Sequence, residues 1–504
     1  MIDDRTPVLI GAGQITQRDV APDEASEPVE LMAAAARRAA ADAGLDAAAL
    51  AKLDAVAVVN VLAWACGNAP RLLAERLHAT PRREIYTTVG GNTPQWLVTR
   101  TMGEIAAGSM RLALIAGGEA IATLKRAQQA RVRLAWSSGG EGSPELLGDP
   151  RDGTSPEEVA HGLQLPIQIY PLFENALRAR HGLSLDEHRA RLGRLYSGFS
   201  KVAAAHPHAW FREPRTPEEI ATVTPRNRMI AFPYPKLMNA IIEVDQSAAL
   251  LLTSAGVARE LGVRPERWVF LLGAADAHDH WLVSERVDYA SSPAIRAAGA
   301  AALAAAGLGV ADVDLFDLYS CFPSAVQIGR AALGIADDDP RPLTVTGGLA
   351  CFGGPGNAYS LHAIATMMDR LRAAPGTRGL VSALGWYLTK HSIGVYGTAP
   401  PDRPFLGVDP QAAAALQASI DREPHPELCH APAGRARIET YTVLHDREGA
   451  PVRGIAIGRL EDGRRFLANT PDDRGLLEAL EAREAVGLAG VAATGEGVNR
   501  FEPA

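Results

Sequence analysis

The side chains able to attack a substrate or move a proton are few in this chain and lie far apart. The cysteines are Cys66, Cys321, Cys351 and Cys429. A thiol becomes a nucleophile when a neighbouring base or a helix N-terminus lowers its pKa. Cys321, in LFDLYSCF, reads as a small packed hydrophobe. Cys351 lies in the glycine-rich stretch GGLACFGGPG. Tyr319 and His391, the latter in YLTKHSIGVYG, are residue types that make an acid/base pair. Lys390 beside His391 reads equally as an exposed charge. Tyr319, His391 and Cys351 are the candidate catalytic residues, for group transfer that needs positioning and a base. An α/β enzyme often keeps its nucleophile between a β-like run and a helical one. Here that place is Thr88–Trp96, TVGGNTPQW, with two glycines and a proline and no Ser or Cys.

Composition narrows the function classes. The chain has 504 residues, 47% hydrophobic and 21% charged, enough for a large core in two or three domains. A net charge of −8 provides no basic field for a phosphate backbone, so nucleic acid is not an expected partner. The widely spaced cysteines form neither a CxxC nor a His/Cys ligand pattern, so neither a metal site nor a disulfide framework is expected, and a reducing cytoplasm fits. No apolar run of about 18 residues is present, and the N-terminus lacks the basic and apolar regions of an export signal. Neither a membrane span nor export is expected.

The elements that must position these residues alternate. VLIGAG, AVAVVNV, IYTTV and LALIAG read as strands, and ELMAAAARRAAADA, RLLAERLH and QWLVTRTMGEIAAG as helices between them, the pattern of a layered α/β fold. The order recurs: Gly44 and Gly307, each ending an Ala-rich helix, are 263 residues apart, as are Gly90 and Gly353, each opening a helix. A Pro-, Arg- and Glu-rich segment separates the two units, and an insertion of that length covers a site or shapes a channel. Beyond Pro404, RARIETYTVLH, VRGIAIGRL and RRFLANT alternate like antiparallel strands, with hairpin signals at Asp446–Gly449 and Glu461–Gly463.

Two βαβ-rich halves with glycine-marked turns, and AGGEA (116–120), VDQSAALLL (244–252) and GGLACFGGPG (347–356) in that order, resemble the thiolase superfamily. The nearest likeness is to sterol-carrier-type thiolases and thiolase-like proteins with an extra C-terminal domain. The resemblance implies a duplicated five-layer α/β/α/β/α core of residues 1–123 plus 239–270 and 271–404. It also implies an inserted loop domain at 124–238 and a small β-rich, OB-like domain at 405–504. The family's nucleophilic Cys falls on Gly91, its GHP histidine on Gly354 and its acid/base Cys on Ala383, and Tyr319 stands where Asn or His would help form an oxyanion hole. All four catalytic elements differ.

The implied function is therefore binding of CoA or acyl-CoA without ordinary thiolase activity, with no other cofactor. A cavity left by the lost side chains would hold an acyl end. Asn92 and Asn357 flank the glycine turns as hydrogen-bond donors or helix caps. RNRMIAFPYPKLMNAI (226–241) contributes Arg226, Arg228, Lys236 and Met238 for the nucleotide and pantetheine. The alternatives are an acyl-CoA-dependent acyltransferase with relocated residues, and a non-catalytic scaffold of a lipid or acyl-CoA enzyme complex. Partners would be acyl-CoA, a second copy in a homodimer, or a protein docked on the C-terminal domain.

Overall fold

The computed structural model describes residues 2–401 and 403–504; Met1 and Asp402, within the two expected thiolase halves, lie outside the described residues. The chain opens with β1 (Pro7–Thr16), α1 (Pro28–Asp42), β2 (Ala55–Val58), α2 (Ala69–Arg76), β3 (Arg83–Thr87), α3 (Thr93–Ala106) and β4 (Leu112–Ala120). A long excursion carries α4 (Ile121–Ala130), β5 (Glu145–Leu147), α5 (Pro156–Ala160), α6 (Pro166–Arg180), α7 (Leu185–Ala205), α8 (Pro217–Ala221), β6 (Met229–Ala231) and β7 (Tyr234–Pro235). The chain then returns as β8 (Asp245–Ser254), α9 (Ala255–Glu260), β9 (Phe270–His278), α10 (Pro293–Ala305), β10 (Leu315–Asp317), α11 (Pro323–Ala332), α12 (Tyr359–Ala373), β11 (Arg378–Gly385) and β12 (Lys390–Gly397). It ends with α13 (Pro410–Asp421), β13 (Gly434–His445), β14 (Pro451–Leu460), β15 (Arg465–Asn469), α14 (Arg474–Ala482), β16 (Ala489–Ala493) and β17 (Arg500–Pro503).

The duplication is visible in strand order and direction. The first sheet runs β1-β8-β4-β2-β3-β5 and the second β10-β11-β12-β9. In both, two parallel strands (β2 with β4, β10 with β11) are followed by two antiparallel pairings that end on the unit's own first strand. The sheets touch where β1 meets β9, through paired backbone bonds between Leu9 and Val269 at 2.9 and 3.0 Å.

Between the sheets lie α3 and α12, which pack on each other and on strands of both. A helix so placed must be apolar nearly all round, and Leu97, Val98, Met102 and Ile105 of α3 are buried. Each such side chain contributes roughly 1.5–3 kcal/mol. Gln95, also buried in α3, accepts from the Tyr396 hydroxyl of β12 at 2.6 Å. Outside, α1 covers the first sheet and α10 the second, completing five layers. The inserted β5 extends the first sheet by pairing in parallel with β3.

The C-terminal strands close into a barrel in the order β13-β14-β15-β17-β16 and back to β13, with β15 and β17 parallel and α14 between β15 and β16. This is the five-stranded topology of an OB-fold. Its separate apolar core includes Ile438, Tyr441, Phe466 and Phe501. The barrel is bound to the rest of the chain: β6, from the excursion, pairs with β13 at Ala231 and Leu444. Arg465, fully buried, joins Glu439 at 2.7 Å and donates to the carbonyls of Ser284 and Arg286 in the second half.

Candidate functional site

The turn between β3 and α3 holds Gly90, Gly91 and Asn92. A Cβ built on Gly91 would stand 2.5 Å from the Leu384 carbonyl oxygen and 2.9 Å from Tyr319 Cζ, with the Tyr319 hydroxyl nearer still. Van der Waals packing does not allow such contacts, so the expected vacancy is absent: the phenol of Tyr319 fills the space where a nucleophile on residue 91 would start. The Tyr319 backbone N–H is tied to Ser382 Oγ at 3.0 Å, and its ring meets Tyr359 edge-on. Burial and the neighbouring Cys321 thiol raise the Tyr319 pKa, so the hydroxyl stays protonated.

The second half holds the first half's turn in place. Asn357 Oδ1 accepts from Gly90 N–H at 2.9 Å, and Asn357 Nδ2 donates to Asn60 O at 3.0 Å. Asn357 therefore ties the two glycine turns together. Asn92 does not act as the helix cap that its position suggests: its side chain makes no capping bond, and Oδ1 is buried without a partner.

Gly354 lies apart from this packing. A Cβ there would meet Leu349 and the Ile241 carbonyl at 3.2 and 3.4 Å, so a side chain needs a small shift and no change of backbone. Ala383 faces a cavity of about 10 Å³ lined also by Tyr319, Ser382 and His391, room for about one water molecule. His391, buried in β12, bonds through Nε2 to Asp279 Oδ2 at 3.2 Å. Burial pushes the Asp279 carboxyl up, but His391 and the Arg286 charge outweigh it and leave the group below its ordinary range.

Cys66, Cys321 and Cys351 are poor nucleophiles as they stand. Burial pushes the Cys351 and Cys321 thiols up to about 12, and Cys66 up to about 11. Cys351 is not among the residues lining the cleft beside Gly91 and lies under the segment carrying Phe211, whose N–H donates to the Cys351 carbonyl at 2.9 Å.

The segment expected to hold the nucleotide is placed differently. Arg226 and Lys236 are exposed, Met238 is fully buried in the core, and Arg228 donates to the Asp446 carbonyl of the barrel's first hairpin at 3.0 Å. Met238 lines no open channel, because its neighbours enclose it completely. Much of this segment is used to seat the barrel.

Lys390, expected as readily on the surface, is buried. It lines a cleft of about 430 Å³ together with Asn92, Trp96, Asp149, Asp276, Trp281 and His391. Burial, with Arg151 adding and Asp149 opposing, pushes its ammonium down to about 8. Asp276, which lines the same cleft, is raised by burial to about 6. Sequence reasoning missed Lys390, Asp276 and Asp279. The scarcity of lysine in an arginine-rich chain was an available signal for Lys390; the aspartates reach the site from a strand more than 100 residues away and had none.

Two halves of one topology, a central helix pair and a glycine turn facing Tyr319 define a thiolase-like protein. A family profile described as "Thiolase-like protein type 1 additional C-terminal domain" matches residues 415–496, and "Thiolase C-terminal domain-like" matches 275–341. A solved monomeric SCP2-thiolase-like protein type 1 from Mycobacterium smegmatis is 40% identical, covers 100% of both chains and superposes with a TM-score of 0.86. The chain belongs to the SCP2-thiolase-like proteins of type 1.

More distant structures share the fold alone. They are an Ltp2-ChsH2(DUF35) aldolase (19% identity, 80% of this chain and 100% of that one, TM-score 0.60) and an acetyl-CoA acetyltransferase from Syntrophomonas wolfei (16%, 79% and 100%, TM-score 0.57). Two curated relatives match over short stretches. A β-ketoadipyl-CoA thiolase from Pseudomonas knackmussii is 34% identical over 27% of this chain and 31% of its own length. A peroxisomal 3-ketoacyl-CoA thiolase 2 from Arabidopsis thaliana is 32% identical over 25% of each. Among the described residues no helix is long and apolar enough to cross a membrane, and no group of three or more His, Cys, Asp or Glu is arranged to hold a metal.

Proposed function

We propose that the chain binds coenzyme A or an acyl-CoA and does not run a cysteine-based acyl-enzyme cycle. The carrying observation is the Tyr319 side chain in the space in front of Gly91, at the N-terminus of α3. A thiolase cycle needs a thiolate there, and a glycine has no atom to accept the acyl group. The thioester ligand class is supported by the names of the curated relatives, both CoA thiolases. Calorimetric titration with acetyl-CoA tests the binding, and a thiolysis assay with acetoacetyl-CoA and CoA tests the chemistry. Micromolar binding without turnover is the expected result. Absence of heat at millimolar ligand overturns the first half of the reading, and turnover sensitive to iodoacetamide the second.

A specific geometry favours a second reading, direct acyl transfer from CoA to a bound acceptor. Asp279 orients His391, and His391 and Tyr319 line one small cavity, the arrangement of a base with its orienting carboxylate. Replacement of Tyr319, His391 and Cys351 together with no change in turnover on any active acyl-CoA would sink this reading.

A further inference from the structure

The sequence has five lysines. Lys52, Lys125, Lys201 and Lys236 are exposed, and Lys390 is buried. Arginine, used for most of the chain's cations, cannot give up its proton in a protein, whereas a buried lysine can. The turn that carries Lys390 is built against local preference. Trp386 and Leu388 adopt φ of +56° and +57°, a left-handed conformation that large side chains rarely take.

That conformation is held from outside. Buried Arg286 donates to the carbonyls of Tyr387 (2.9 Å) and Leu388 and to Thr389 Oγ1 (2.8 Å). The Tyr170 hydroxyl donates to Trp386 O at 3.1 Å and accepts from Leu388 N at 3.2 Å. So many constraints on the four residues before it fix where the lysine points.

It points to the start of α3. Nζ donates to Val89 O at 2.6 Å and lies 6.0 and 5.7 Å from the rings of Trp281 and Trp386. In the same cleft Asn92 Oδ1 and Asp276 Oδ1 are buried without partners. Asp276 shares the sheet face of Lys390, because Ser392 pairs with Asp276 and Lys390 with His278. A desolvated amine, a cleft and unpartnered polar atoms together form an incomplete site that a polar ligand would complete.

We propose that Lys390 is a carbonyl-reactive amine and that the cleft takes a small ketone or aldehyde, which it holds as an imine. The Nζ lone pair forms a bond to the carbonyl carbon while the π pair moves to oxygen. A proton passes from nitrogen to that oxygen, and the carbinolamine C–O bond then breaks with release of water, leaving a protonated C=N. No oxidant, reductant or further reactant is needed. Asp276 is placed to hand over the proton that the departing hydroxyl requires. The other charged groups near Lys390 are Asp149 and Arg151 after β5 and Arg100 on α3; His278, its pairing partner on β9, and His391, its neighbour on β12, also line the cleft. Burial lowers the Lys390 ammonium pKa and so raises its fraction of free amine at neutral pH above that of a lysine side chain in water. This inference stands independently of coenzyme A binding.

The test uses the full-length protein with acetoacetate and sodium cyanoborohydride, which fixes an imine as a stable secondary amine. Peptide mapping then compares the five lysines in one sample. Lys390 is expected to be labelled about tenfold or more faster than Lys125, because it is held in a cleft that binds the ketone and burial favours its free amine. Lys390→Met, checked for folding by its urea midpoint, is expected to lose that label and keep the slow background. Labelling of Lys390 no faster than of the exposed lysines overturns the proposal without recourse to any variant.

Discussion

The Tyr319 hydroxyl lies where the first side-chain atom of residue 91 would be, closer than the 3.0 Å that real Cβ contacts respect. Glycine at 91 and tyrosine at 319 are therefore one feature, although 228 residues separate them in the sequence. The space in front of Gly91, where the resemblance to thiolases would put a nucleophile, is filled by an aromatic ring from the other half of the molecule.

Gly91→Cys alone is expected to destabilise the protein by about 1–3 kcal/mol through overpacking. Combined with Tyr319→Ala it should recover part of that loss. The recovered thiol, at the N-terminus of α3, should react with iodoacetamide faster than Cys321 and Cys351, whose pKa values burial raises. Urea denaturation and alkylation rates check both. Equal stability of the single and double variants would mean that Tyr319 does not exclude a side chain at 91.

Acid should unfold this protein early. Burial, with His208 and two arginines adding, pushes His206 down to about 3; burial, with Arg38 and Arg18, pushes His208 to about 4; His362 also lies well below its ordinary value. These groups are neutral when folded and take up protons near 6.5 when unfolded. Stability is thus full above about pH 6.5 and falls as pH drops toward 4 and 3, by up to about 1.4 kcal/mol per pH unit for each. Glu119 and Asp276, which burial raises to about 7 and about 6, oppose this slope, so the check is a difference: between pH 7 and 4 the urea midpoint of His208→Phe should shift upward relative to that of the unaltered protein.

Arg465 should be the strongest single tie between barrel and core. Its removal leaves Glu439 with a weakened partner set and the carbonyls of Ser284 and Arg286 unpaired in the interior. Arg465→Met is expected to cost about 3–5 kcal/mol. Limited proteolysis should then cut the 422–433 connection faster than in the unaltered protein. Unchanged cleavage would mean that the remaining ties, among them the β6–β13 pairing and Arg228 on the Asp446 carbonyl, seat the barrel without Arg465.

Asn357→Ala should loosen the glycine turn. It strands the Gly90 N–H and the Asn60 carbonyl, at about 1–3 kcal/mol for an unsatisfied buried group. Hydrogen exchange at Gly90 and Gly91 should accelerate, while exchange in the barrel should not change.

The sequence by itself determined the architecture. Ala-rich helices ending in Gly44 and Gly307, the glycine pairs 263 residues apart and the alternating strands after residue 434 are local signals, because period, capping and turn chemistry are set by neighbours a few residues away. The resemblance to thiolases, and no local signal, singled out Gly91 and Ala383 as positions without a reactive side chain. What fills or serves them was not legible. Tyr319 against Gly91, Asp279 on His391, Arg228 on the barrel hairpin and the burial of Lys390 are contacts between segments tens to hundreds of residues apart. Their energetics depend on which side chains the folded core withdraws from water, and that is decided only when the two halves and the barrel close on one another.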